Sequence, residues 1–507
     1  MAINYNSTPK HNWRLRFHLQ VPTGNLTDPN GLCQLNGEYH FFHQYKPLWP
    51  AKGHGWGGWA SRDLLTWEFV GGPIMPDMPL DKDGSYSGSA VIHDGALWCY
   101  YTGNVLAEGD YDYDFAGRDA NELLSISPDG RTFGKKQLVL GNDGYPSYCS
   151  NHVRDPKVWK QGSSWHMLLG ARTNSNRGCV LMYGSPDGLK WQLEGTATST
   201  AKTPFGYMWE CPNIARLNGR EFLFVCPQGA PKRTTSLQNV HDAGYFPLAK
   251  GVVETLSGDQ GLMDAAGPYA CIDQDDFIEL DYGFDFYAPQ IFEDESGRTI
   301  LLGWMGLPDI ETQYENPTRE WAGTFTMPRE LSLNEAGRIC QWPVHEMDAL
   351  RREEIPFTAE AAAGATGGVG SARFDAFDLT DAVGASFRGG ADIVIEDIAP
   401  DARGSLRLNG DLEFTLLESM AELVFTSPAG QFRCLRRMPL SALSAGRIRS
   451  LRVIVDSSTV EIYVNGGEVT LSSRWYPENI DLLRVSSTLQ GSHRGWQMGS
   501  FTFLNCG

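Results

Sequence analysis

The chain has 507 residues with a formal net charge of -19, and it is rich in Gly (56), Trp (15), Tyr (19) and Phe (24). That length exceeds one compact core and suits two domains, while the glycine and aromatic content suits many short strands joined by tight turns. The acidic balance excludes nucleic acid and anionic membrane surfaces as partners, because neutralising phosphates takes clustered Lys and Arg.

The polar leader, residues 1–18, has neither an apolar core nor a small-residue cleavage site, so no secretory signal is expected. No apolar run is long enough to span a bilayer. The ten cysteines, at 33, 99, 149, 179, 211, 226, 271, 340, 434 and 506, show no Cys-x-x-Cys pair and no His spacing that suggests zinc. They read as reduced thiols of a cytoplasmic protein without a metal or other cofactor.

Five hairpins follow in chain order. The first runs from Gly31 through the turn Asn36-Gly37 to Tyr45, and the second from Gly88 through Asp94-Gly95 to Tyr101. The third spans Asp155 to Leu169 around Gly162, the fourth Cys211 to Cys226 around Asn218-Gly219, and the fifth Ala288 to Trp304 around Ser296-Gly297. Asn-Gly or Asp-Gly between alternating apolar runs is a strong hairpin signal. Between the hairpins, Ser61-Arg62-Asp63, Ser127-Pro128-Asp129-Gly130 and Ser185-Pro186-Asp187-Gly188 mark outer turns, each leading to an aromatic residue. A unit of about four strands recurring every 55 to 80 residues or so predicts an all-β fold with a five-bladed β-propeller. A large double sandwich would share the alternation but not the coarse repeat.

The repeat fades at Gln341-Trp342-Pro343, which sets a propeller domain over residues 1–343. Val344–Glu354 has helical spacing and Ala359–Gly370 is an Ala/Gly-rich linker, so residues 344–370 connect to a second domain. Residues 371–507 contain further strands with turns at Asn409-Gly410 and Asn465-Gly466, as expected of a C-terminal β-sandwich. The sandwich is expected to support the first domain or to form a dimer.

The first strand of each propeller blade lines the central channel. The five hairpin starts carry Asp28; Ser87 and Ser89; Arg154 and Asp155; Glu210; and Asp285 with Tyr287. The carboxylates of Asp28, Asp155 and Glu210 therefore face one cavity. Trp56, Tyr86, Tyr207, Trp209, Tyr287 and Trp304 are expected at the same level. Any one ring is equally well explained by packing, but together with acids and hydroxyls they suit a sugar. Cleaving a glycosidic bond takes one carboxylic acid to protonate the leaving oxygen and a second carboxylate to attack or to activate water. The apolar neighbours Trp209, Cys211 and Pro212 would favour a protonated Glu210, and Asp28 would be the nucleophile.

The blocks Thr27-Asp28-Pro29-Asn30-Gly31, Tyr86-Ser87-Gly88-Ser89-Ala90, Arg154-Asp155-Pro156-Lys157, Trp209-Glu210-Cys211-Pro212 and Tyr287-Ala288-Pro289-Gln290 resemble the signature motifs of the β-fructofuranosidases, glycoside hydrolase family 32. Ser457-Ser458-Thr459-Val460-Glu461 extends the resemblance into the second domain. The sequences around Glu210 and Tyr287 look nearest to the intracellular bacterial branch, which splits sucrose or sucrose 6-phosphate. The resemblance implies a retaining double displacement at fructose C2 with no cofactor: Asp28 as nucleophile, Glu210 as acid/base, and Asp155 as transition-state stabiliser holding fructose hydroxyls with Arg154. It also implies Asn30, Gln44, Trp56, Tyr86, Ser87, Tyr287 and Trp304 as sugar contacts, with Asn25 beside them. The chain departs from the family at Asn25 and Thr27, where Trp and Asn are usual, and at Gly58, where His is usual.

The expected substrates are sucrose and short fructo-oligosaccharides. A sucrose 6-phosphate hydrolase would need a basic pocket, for which Lys46, His54 and Arg118 are available. A fructosyltransferase, an inverting arabinan-type hydrolase and a non-catalytic sugar-binding propeller are the other readings.

Overall fold

The computed structural model describes residues 13–48, 53–199, 204–257, 262–264, 267–309, 320–359 and 382–504. Most of the polar leader and, apart from Ala359, the Ala/Gly-rich linker lie outside the described residues. The fold is all-β: the described elements are strands and turns, with a short α-helix at Val252–Ser257 and a few 3-10 turns.

Each of the five hairpins forms, and the turn residues explain three of them. Asn36 and Gly37, Asp94 and Gly95, and Asn218 and Gly219 all have positive φ, between 49° and 76°. Both central residues being left-handed gives a turn whose twist matches that of the flanking strands. The hairpins are Gly24–Leu35 with Glu38–Lys46, Ser85–His93 with Ala96–Leu106, Cys149–Gln161 with Ser164–Thr173, Met208–Leu217 with Arg220–Gln228, and Tyr287–Glu293 with Thr299–Trp304. Each belongs to its own sheet of four or six strands. The outer turns also form as expected. The hydroxyls of Ser61, Ser127 and Ser185 each accept the N–H three residues on, from Leu64, Gly130 and Gly188, which is the local bonding that favours Ser and Asp in turns.

The first strands of the five sheets are tied into a closed ring by side chains reaching across from one to the next. Ser87 donates to Asp28, and the Ser89 hydroxyl donates to the Pro156 carbonyl and accepts from Val158 N–H. Asp155 accepts from Cys211 N–H, and Asn213 bonds both the Pro289 carbonyl and Ile291 N–H. Gln290 closes the ring, accepting from Leu32 N–H and donating to the Gly88 carbonyl. Buried amides are thus satisfied where adjacent sheets diverge.

The first sheet gathers strands from distant parts of the chain. Trp321–Ala322 pairs in parallel with Gly24 and Asn25 at its inner edge, and Thr502–Leu504 pairs in parallel with Thr66–Glu68 at its outer edge.

Beyond Pro343 the expected short helix over Val344–Glu354 is a 3-10 helix at His345–Leu350 followed by a strand, Arg351–Glu354. That strand pairs antiparallel with Ser492–Met498. Two six-stranded sheets follow, with Ile393, Val453, Val455 and Ile462 of one sharing a core with Leu406, Phe414, Leu423 and Val485 of the other. The two groups of sheets meet over a mixed interface. Its apolar part contains Phe17, Trp67 and Met327 together with Ile454, Tyr463 and Phe501. Its polar part is a buried network in which His18 bridges Asp456 and Glu461, at 2.9 Å each, and Arg329 bonds Glu461 and Ser472.

Candidate active site

The site sits where the five inner strands lose regular pairing with their neighbours. Register breaks occur between Leu26 and Pro29, Ser85 and Gly88, Glu210 and Asn213, and Tyr287 and Gln290, and opposite Asp155 between Leu168 and Gly170. Three of these bulges place a left-handed, non-glycine residue just before a proline: Asp155 (φ 65°), Cys211 (φ 49°) and Ala288 (φ 47°). Such a bulge bends the strand and re-aims the side chains around it, and here it aligns the acids of different strands on one cavity. In the first strand, Gly31 (φ 52°) lies in a second register break, between Asn30 and Cys33, and a Cβ there would meet the Trp56 ring at 2.7 Å.

The cavity has a volume of about 340 Å³ and is lined by Asp28, Asp155 and Glu210 together with Thr27, Gln44, Tyr86, Ser87 and Arg154. Ser87 donates to Asp28 Oδ2 at 2.7 Å. Burial raises the Asp28 carboxyl to about 6 against the lowering effect of this hydrogen bond, and the charge of Glu210 adds to the rise. Asp155 Oδ2 accepts the Cys211 N–H at 3.0 Å. Burial lifts Asp155 to about 7, with Arg154 pulling it down and Glu210 and Asp28 pushing it up. The sequence placed Glu210 among apolar neighbours, but its carboxylate instead meets two polar groups. Oε1 accepts from Arg154 Nε at 3.1 Å and Oε2 from the Tyr287 hydroxyl at 2.6 Å, while Trp209 turns away to pack against Phe246.

Gln44 donates to the Ser85 carbonyl, and its Oε1 is buried without a hydrogen-bond partner, an acceptor aimed at no protein donor. Tyr86 stacks on His54, with ring centroids 4.7 Å apart. Not every expected sugar contact reaches the cavity. Asn25, Asn30, Trp56, Tyr287 and Trp304 are buried and do not line it. In the orientation that satisfies both ends of its amide, Asn30 donates to the Pro29 carbonyl and accepts from Gln44. Trp56 lies under Gly31 and donates to the Tyr86 carbonyl, so it forms the floor beneath Tyr86. Tyr287 acts one step back, through Glu210. Trp304 pairs with Tyr287 across the hairpin, its ring against Gly306. Asp285, at the start of the fifth hairpin, is claimed by Arg433 and by the Arg474 N–H in the second group of sheets.

The rest of the lining is Lys46, His54, Asp114, Arg118, His152, Tyr207, Gln228 and Asp309. Burial and the charge of Lys46 hold His54 near 3, and burial with the neighbouring arginines 154, 118 and 172 holds His152 well below its usual range, so both rings are neutral. Asp309 is held by His241 Nε2 at 3.0 Å, and Asp114 by Arg172 at 3.1 Å. Sequence reading missed Asp114, His152, Gln228 and Asp309. None lies at a hairpin start, and Asp114 and Asp309 reach the cavity from connections outside the paired strands. Among the described residues no group of three or more His, Cys, Asp or Glu could hold a metal ion.

Comparison with known proteins gives a consistent result. Residues 18–343 match the glycosyl hydrolases family 32 N-terminal domain, and residues 419–496 the glycosyl hydrolases family 32 C terminal. The chain is 34% identical over 482 residues to the sucrose-6-phosphate hydrolase of Bacillus subtilis (strain 168), covering 93% of this chain and 90% of that one. It is 35% identical over 483 residues to the raffinose invertase of Escherichia coli, covering 92% and 90%. Among solved structures, the sucrose-6-phosphate hydrolase from Lactobacillus gasseri superposes with a TM-score of 0.76 at 25% identity, covering 97% of this chain and 95% of that one.

Proposed function

Because the chain belongs to glycoside hydrolase family 32 and is a β-fructofuranosidase, we propose that it releases terminal β-D-fructofuranose from sucrose by a retaining mechanism centred on Asp28, Asp155 and Glu210. The convergence of these three carboxylates, each from a different inner strand, on one cavity carries this reading. The Asp28 carboxylate attacks fructose C2 as Glu210 gives its proton to the glycosidic oxygen, so the C2–O bond breaks, glucose leaves and a fructosyl ester forms on Asp28. Glu210 then takes a proton from water, whose oxygen attacks C2 and frees Asp28. Asp155 and Arg154 hold fructose hydroxyls, and Gln44 Oε1 accepts one more. The five sheets built from residues up to 343, with Thr502–Leu504 added to the first, are the blades of a propeller, and the two six-stranded sheets that begin with Arg351–Glu354 are a supporting sandwich. The free thiols of every described cysteine suit a reducing, cytoplasmic setting.

Asp28→Ala should reduce sucrose turnover to background, and Glu210→Gln should lower kcat by about 10²- to 10⁴-fold, with circular dichroism unchanged in both. Turnover near that of the parent enzyme in either variant rejects the assignment. A second reading, hydrolysis of sucrose 6-phosphate, is favoured by Lys46 and Arg118 in the cavity lining. Comparison of kcat/KM on the two substrates decides between them. A preference of about tenfold or more for the phosphorylated sugar, worth about 1.4 kcal/mol, that disappears in Lys46→Ala assigns it as the substrate.

A further inference from the structure

Glu122, in strand Arg118–Ser127, is fully buried, and among the described residues no Lys, Arg or His pairs with it. Its Oε1 accepts from the Tyr145 hydroxyl at 2.8 Å and its Oε2 from the Thr102 hydroxyl at 3.0 Å. Thr102, its cross-strand partner, in turn accepts the backbone N–H of Asp155 at 3.2 Å. Burying a carboxyl without a cation is costly, and an apolar side chain would fill the same space at lower cost. Burial, assisted by the charge of Asp155 and opposed by the two hydrogen bonds, pushes Glu122 up to about 8.

The N–H that this chain of hydrogen bonds reaches belongs to the bulged, left-handed Asp155, which the neighbouring strand leaves unpaired: Arg154 faces Gly170 and Lys157 faces Leu168. Pro156, the next residue, has no N–H to offer. The Thr102 hydroxyl therefore supplies the acceptor that sets the orientation of the Asp155 peptide, and Glu122 sets the orientation of that hydroxyl.

We propose that Glu122, acting through Thr102, is a positioning residue for Asp155: it fixes the bulged peptide and thereby the place at which the Asp155 carboxylate meets the sugar. This rests on the reading of Asp155 as a substrate-holding group in a fructosidase. Misplacing such a group by about 1 Å costs up to about 10²-fold in rate.

The test is steady-state kinetics on sucrose and sucrose 6-phosphate with Thr102→Val, Thr102→Ser, Glu122→Ala and Glu122→Gln, each with a melting temperature and a folded fraction. Thr102→Val and Glu122→Ala should lower kcat per folded molecule by about 10- to 100-fold, with KM changed much less. Thr102→Ser keeps the hydroxyl, and Glu122→Gln keeps the acceptor toward Thr102 and turns an N–H toward the Tyr145 oxygen, so each should recover most of the loss. Parent kcat per folded molecule in Thr102→Val and Glu122→Ala, whatever their melting temperatures, overturns the proposal and leaves Glu122 a packing residue. If the parent enzyme cleaves neither sugar, the fructosidase reading fails first and the proposal falls with it.

Discussion

At Asp28 burial and a single hydroxyl oppose each other, and the balance is measurable. The carboxyl sits near 6 because burial outweighs the Ser87 hydrogen bond, so kcat/KM should decline as pH falls through about 6 and the nucleophile takes up a proton. Ser87→Ala removes a bond to the ionised form, so the acid limb of the pH–kcat/KM profile should move to higher pH. A limb that stays in place or moves down shows that Ser87 does not stabilise the Asp28 carboxylate. The three acids were legible in the sequence because each sits one or two residues before a proline at a hairpin start. The aromatic residues were only half legible, since a strand pattern does not say which face a ring takes once a bulge intervenes. Hence Tyr86 and Tyr207 reach the cavity, whereas Trp56 and Trp304 lie behind it.

Among the strands, the hairpins could be read because Asn-Gly and Asp-Gly are short-range signals. The inner strands nevertheless begin earlier than the expected hairpin starts, at Gly24, Ser85, Cys149, Met208 and Tyr287, because the bulges interrupt alternation without ending the strand. The strand at Arg351–Glu354 was masked by its helical composition, and pairing with Ser492–Met498 overrides that local preference. Thr502–Leu504 could not be placed from sequence at all, since its partner is more than four hundred residues away. This strand carries a prediction of its own. Phe501 is buried against Trp67, with centroids 6.2 Å apart, and Phe503 lies 5.4 Å from Trp59. Phe501→Ala should cost about 3 kcal/mol in denaturant unfolding, and deleting residues 500–507 should cost more because it also bares the outer edge of the first sheet. An unchanged unfolding midpoint in the deletion variant would show that the strand is an ornament of the fold.

Across the whole molecule the buried network at His18 ties the two groups of sheets together and makes stability depend on pH. Burial alone would lower His18, but its hydrogen bonds to Asp456 and Glu461 and their charges raise it from 6.5 to about 9. Its contribution is therefore fully present below pH 6.5 and is lost as pH rises through 9, a change of roughly 3 kcal/mol. Glu461 is shifted the opposite way, to about 2, because Arg329 and His18 outweigh burial. Its contribution is present above the ordinary glutamate range and is lost as pH falls through about 2. Thermal unfolding of the parent and of His18→Gln should show a stability gap that narrows steadily between pH 6.5 and 9. A gap independent of pH would mean that His18 is not charged in the folded protein.

The parallel strand at Thr502–Leu504 also has a consequence for biosynthesis. The first sheet begins to emerge from the ribosome with residue 24, yet its outer edge is capped only by residues 502–504, more than four hundred residues after the strand they pair with. A nascent chain carrying all three acids still lacks that cap, and an uncapped strand edge is a surface on which other nascent chains can pair until residues 502–504 have been made. Completion of the first sheet is thus set by the sequence separation between Thr66–Glu68 and Thr502–Leu504, and the order of synthesis makes that sheet begin early and close late.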